Sequence, residues 1–203
     1  SEMIVYRATP ADAASGVRVG DIEYPGFPIV GVKLDGLVAD GDPSTLRVAF
    51  FALRYDQPVN APMKLFARDP SGEEATSDFD HLTFPKPFKK STIPLDDKFL
   101  ERVVPAILEG TTEIKPEGDT IAKFLAINGE LRRKNNDKIA SFASQTKPEL
   151  LWRGVVFHPF SKTAVEAAFA DHRTYLYQGK EVDQQVHLGF DLASFAGTPI
   201  VSA

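Results

Sequence analysis

Leu46-Arg47-Val48-Ala49-Phe50-Phe51-Ala52-Leu53-Arg54-Tyr55 is the stretch on which the fold turns. Rich in apolar and aromatic residues and free of glycine and proline, it reads as a β-strand. Its neighbours repeat the pattern. Upstream, Ile29-Val30-Gly31-Val32 is a short apolar strand, followed by turn chemistry in Asp40-Gly41-Asp42-Pro43. Downstream, Met63-Lys64-Leu65-Phe66-Ala67-Arg68 is another strand, closed by Asp69-Pro70-Ser71-Gly72, a turn with proline second and glycine fourth. A further strand is expected from Glu74 to Phe84, with Phe79 among its apolar positions. Short strands at a spacing of roughly ten residues predict a β-sandwich of immunoglobulin type, here over residues 1–90. The chain has no cysteine pair, so this expectation rests on pattern alone.

Proline density then rises at Pro85, Pro87 and Pro94, with Lys86, Lys89 and Lys90 between them, which predicts a linker. Asp96 is a good N-cap for a helix over Asp97 to Leu108, ended by Gly110, with Pro105 placed to kink it. A second helix is expected from Asp119 to about Phe142, weakened at Asn128-Gly129 and Asn135-Asn136. Residues 91–147 therefore read as a helical linker region. Residues 148–203 return to β character around Trp152, Val155-Val156-Phe157 and Tyr175-Leu176-Tyr177. The whole is mainly β with a helical insert.

Chemistry concentrates near the end of the chain, in Val186-His187-Leu188-Gly189-Phe190-Asp191-Leu192-Ala193-Ser194. A neutral imidazole and a carboxylate are both good zinc ligands, and a catalytic zinc usually takes three protein ligands and a water. Two donors on one zinc must approach within about 4 Å, whereas positions four apart on a straight strand are separated by roughly 13 Å. Gly189 lies between His187 and Asp191 and is suited to a bend. A helix would also bring them together, but Gly189 and Phe190 beside Val186 disfavour one. The expected picture is a strand carrying His187 that bends, with Leu188, Phe190 and Leu192 turned into a core. On spacing alone, however, a histidine followed four residues later by an aspartate is a common and unremarkable pairing.

The wider wording decides more. The run HLGFDLASFAGTPIVSA, residues 187–203, resembles the first metal-binding segment of lysostaphin/LytM-type zinc endopeptidases. Its matching pieces are His187, Gly189, Asp191 and Thr198-Pro199-Ile200-Val201-Ser202-Ala203, and the likeness extends upstream through Phe169 to Tyr175. The resemblance implies zinc as cofactor, with His187 and Asp191 as ligands, in a hydrolase of peptidoglycan cross-links. It implies that residues 148–203 begin a LytM-type β-domain. It also implies a location on the periplasmic or extracellular side of the envelope, with an export signal or membrane anchor upstream. The departure is the family's third ligand, the second histidine of a His-x-His pair much further along. No histidine follows His187, and the others are His81, His158 and His172. The chain therefore reads as the truncated N-terminal part of such an enzyme, with no catalytic residue of its own and an incomplete zinc site. A non-catalytic LytM-like protein that binds the envelope or activates a hydrolase is the alternative. A third possibility is that the β-sandwich is the functional unit and binds a protein or glycan.

Asp171-His172-Arg173 sets acid, base and cation in a row, but consecutive strand residues face opposite ways and cannot converge. The expected role there is a turn plus one packed or hydrogen-bonded side chain. Arg173 and Tyr175 share a strand face and are candidate substrate contacts beside the metal. His81 and His158 read as ordinary surface and turn histidines. A net charge of −5 with dispersed basic residues provides no polycationic surface for nucleic acid. The absence of cysteine removes thiol nucleophiles and thiolate ligands. The sequence shows no Gly-rich phosphate loop, serine nucleophile elbow or dinucleotide fingerprint.

Overall fold

The structure is a computed structural model that describes residues 2–29, 41–145, 147, 158, 160 and 162–200. It is mainly β with helices, and it divides into two compact units, the first running to Lys86 and the second starting at Pro87.

The first unit is one curled antiparallel sheet of six strands in the order β1-β4-β3-β2-β5-β6. They are β1 Glu2–Arg7, β2 Ala14–Val19, β3 Ile22–Pro28, β4 Leu46–Phe51, β5 Met63–Arg68 and β6 Glu74–Ser77. Val19 pairs with Ile22 across the two-residue loop Gly20-Asp21, a hairpin in which Gly20 takes a φ of +61°. The sheet curls at β3, whose first half pairs with β2 and whose last three residues pair with β4. Gly26, where the pairing changes over, leaves room for Tyr6: an added Cβ would lie 1.9 Å from the Tyr6 hydroxyl oxygen, which would have to shift. The curl encloses Val17, Val19, Ala49, Phe51, Ala61 and Met63 in one core, with Tyr6, Tyr24 and Phe79 packed around it. Arg47 is buried at its edge, where its guanidinium donates to the carbonyls of Ala11, Ser44 and Leu46.

Two expected strands are shorter than the sequence suggests. β4 stops at Phe51, because the chain turns through Arg54-Tyr55-Asp56, where the Arg54 amide donates to the Gln57 side chain and its guanidinium pairs with Asp56. β6 stops at Ser77, and Phe79 instead turns its ring edge-on to Phe51, 5.8 Å away. The Asp69–Gly72 turn forms as expected, with the Gly72 amide donating to the Asp69 carbonyl at 3.0 Å. Of the expected strand at 29–32, residues 30–32 lie outside the described residues, as do Trp152 and Val155–Phe157.

The second unit contains β7 Lys90–Leu95, α1 Asp97–Glu109, α2 Thr120–Ala126, α3 Arg132–Ala143, β8 Ala164–Ala167, β9 Asp171–Tyr177, β10 Lys180–His187 and β11 Asp191–Ala193. The Pro-rich stretch expected as a linker in fact enters the sheet: β7 runs parallel to β9, and Pro94 is tolerated because, among the described residues, β7 is the edge of the order β10-β9-β7. The parallel return is made through the helices, as parallel pairing requires a long crossover. α1 is capped by Asp96, which accepts from the Phe99 amide at 2.7 Å. Pro105 lies within α1 without ending it. α2 is capped by Asp119. At Asn128-Gly129 the expected break is a single π-helical turn, Ile127–Leu131, and α3 passes through Asn135-Asn136 uninterrupted. Leu95, Leu100, Val104, Ile114, Phe124, Ile127, Leu131 and Tyr175 form the core of this unit. Among the described residues no helix is long and apolar enough to cross a membrane.

Candidate metal centre

β9 and β10 form a hairpin over Gln178-Gly179, both at positive φ, and its register places His187 opposite Asp171. The Ala170 amide donates to the His187 carbonyl at 2.7 Å, which fixes the end of β10 against the start of β9. The chain then bends at Gly189 and resumes as β11, where Asp191 pairs with Ala167 of β8. This is the bent strand that the sequence predicts. Its effect is to fold two positions four apart onto each other: His187 Nε2 lies 3.3 Å from Asp191 Oδ1.

That separation is informative. Two donors about 2.0–2.1 Å from a tetrahedral zinc stand about 3.3 Å apart. The imidazole is nearly buried, at 14% exposure, while the Asp191 carboxylate is open to solvent at 57%. Although the two atoms are within ion-pair distance, they are not aligned as a hydrogen bond. Nε2 is consequently a buried nitrogen with no hydrogen-bond partner. A buried polar atom left unmatched is costly and calls for an explanation. A cation reached from the Asp191 side would satisfy both groups, so the pair fits two positions of a zinc site. Among the described residues no cluster of three or more histidine, aspartate or glutamate side chains is arranged to hold a metal. His172 is exposed on the other face of β9, its ring 6.4 Å from that of Phe88.

Behind the pair stand residues of β7 and β9. Asp171 is buried, with its side chain 3% exposed, and both its oxygens lie within reach of the Ser91 hydroxyl, at 2.8 and 2.9 Å, sharing its single donated proton. Arg173, on the same face of β9, reaches Asp171 through Nε at 3.3 Å and Asp191 Oδ2 through its terminal nitrogen at 3.6 Å. Burial works against the charged guanidinium, but hydrogen bonds to Asp171 and Tyr175 outweigh it and hold Arg173 above its ordinary pKa. Asp171 is thus the packed, hydrogen-bonded side chain expected of this segment, although the segment is the start of β9 rather than a turn. Its i, i+2 relation to Arg173 was the available signal in the sequence, whereas nothing local points to Ser91. Of the two candidate substrate contacts, Arg173 reaches the site, while Tyr175 is buried in the core with its ring 6.0 Å from Phe124.

The expectation for Leu188, Phe190 and Leu192 is corrected. They are exposed, at 50%, 63% and 42%, because β11 pairs only with the short β8 and no described element covers that face. Thr198 to Ile200 form no strand, and residues 201–203 lie outside the described residues. Comparison with known proteins finds no matching family model and no matching curated protein.

Proposed function

We propose that this chain carries the first zinc-binding segment of a lysostaphin/LytM-type endopeptidase, one that cleaves peptide cross-links of bacterial peptidoglycan on the periplasmic or extracellular side. The observation that carries the reading is the 3.3 Å approach of His187 Nε2 to Asp191 Oδ1, with Nε2 buried and lacking a hydrogen-bond partner. Bound there, zinc supplies a Lewis acid for the scissile carbonyl and a water acidified towards about pKa 7. His187 serves as a neutral nitrogen donor, held rigidly by the β9–β10 ladder. Asp191 offers an oxygen from the solvent side, which leaves the approach open to a peptide. Among the described residues no third histidine, aspartate or glutamate joins the pair to complete a metal site.

The finer architecture is read in the same way. The N-terminal unit serves as an immunoglobulin-like module that targets the enzyme or covers its groove; its all-antiparallel pairing and single enclosed core support this. The β10–bend–β11 segment begins the LytM-type β-domain.

The test is to incubate the full natural gene product, zinc-loaded, with purified cross-linked muropeptides and to follow the release of new amino termini. Release that is abolished by chelation and by His187→Ala or Asp191→Ala is the expected result. Zinc-loaded protein that leaves the cross-links intact but sediments with peptidoglycan would replace this reading with a non-catalytic envelope-binding role.

A further inference from the structure

Asp191 is a weakly anchored ligand. More than half exposed, on a three-residue strand, its carboxylate is free to swing into solvent unless something holds it. The structure assigns that task to Arg173. We infer that Arg173 is a positioning residue that holds Asp191 Oδ2 so that Oδ1 stays turned towards His187, with Asp171 and Ser91 anchoring the guanidinium from behind.

Three observations carry this. Arg173 contacts both aspartates, through Nε on one side and a terminal nitrogen on the other, a bridging geometry that a fork-shaped guanidinium provides and a lysine ammonium does not. The anchoring end is built in: Asp171 is buried, is tied to Ser91 on the neighbouring strand and sits opposite His187 in the β9–β10 register. The charges also balance in a specific way. An uncompensated guanidinium 3.6 Å from a ligand oxygen would repel a cation. With Asp171 offsetting Arg173, the Asp191 charge remains for the metal. The ion pair to an exposed carboxylate adds little to stability. Its effect is orientation, and outer partners of this kind typically change metal affinity by 10–100-fold.

This inference rests on the zinc reading above, and its test separates the two. The full chain is titrated with zinc ion alone, and the His187 imidazole nitrogen signals are followed by NMR. In the wild-type chain, zinc is expected to shift Nε2. Arg173→Ala is expected to need at least tenfold more zinc for the same shift, and Arg173→Lys to recover only part of that loss. Asp171→Asn is expected to weaken zinc as well, by leaving the Arg173 charge uncompensated. In an Asp191→Ala background, Arg173→Ala is expected to change nothing further, because the carboxylate through which it acts is gone. Thermal unfolding of each metal-free variant verifies that it is folded; should Arg173→Ala fail to fold, Arg173→Lys and Asp171→Asn carry the comparison. Zinc affinity unchanged by these variants, or a loss that simply adds to that of Asp191→Ala, overturns the positioning role and leaves the zinc site standing. A wild-type chain whose Nε2 ignores zinc overturns both.

Discussion

Glu74 is held by two arginines at once: Arg18 at 2.8 Å and Arg68 at 2.6 Å, with both guanidiniums also lying over the Phe66 ring. The hydrogen bond from Arg18, then that from Arg68, pull its pKa down to about 2. Glu23, bound mainly by Arg18 and then by Arg68, is lowered too. For a carboxylate whose folded pKa is depressed, the unfolded state binds protons first. The stabilisation is thus complete above the ordinary value of about 4.5 and fades as pH falls towards about 2. Glu74→Gln is expected to flatten the loss of stability between those values, as measured by urea unfolding at a series of pH values. A slope equal to that of the wild-type chain would show that the cluster is too well solvated to matter. At this same scale His187 and Asp191 were legible, because their chemistry and spacing are local. Ser91 was not, since it meets Asp171 eighty residues away.

Among the elements, α1 shows what local rules decide. Asp96 accepts from the Phe99 amide, Gly110 follows the last turn, and Leu100 and Val104 recur on the buried face. Asp96→Ala removes the acceptor for an otherwise orphaned donor and is expected to destabilise the second unit by about 1 kcal/mol in denaturant unfolding. An unchanged midpoint would mean that tertiary packing alone holds this end. β7 shows the limit of such rules. Its neighbourhood of prolines and lysines reads as a linker, yet a strand partner supplied by β9 outweighs the poor local propensity, and the edge position makes Pro94 harmless. β2 and β3 were equally hard to read, interrupted as they are by Gly16, Pro25 and Gly26, although the Gly20-Asp21 hairpin loop was a usable signal.

On the scale of the whole molecule, two separate cores imply two cooperative steps. Arg47→Met strands the carbonyls of Ala11, Ser44 and Leu46 in the first unit, at roughly 1–3 kcal/mol for unsatisfied buried groups. Leu100→Ala empties a site that is 1% exposed in the second, at about 2–5 kcal/mol. In scanning calorimetry each variant is expected to lower one transition and leave the other in place. A single transition moved by both would mean that the two units unfold as one. The sequence by itself determined the strand-rich class, the helix caps, the Asp69–Gly72 turn and the bend that pairs His187 with Asp191, since each depends on residues within a few positions of one another. Only the tertiary structure decided that β7 is a sheet edge, that Phe190 faces solvent, and that Asp171 and Arg173 stand behind Asp191. Those outcomes depend on which distant strands share a register, and register is settled by the burial of whole faces rather than by any local preference.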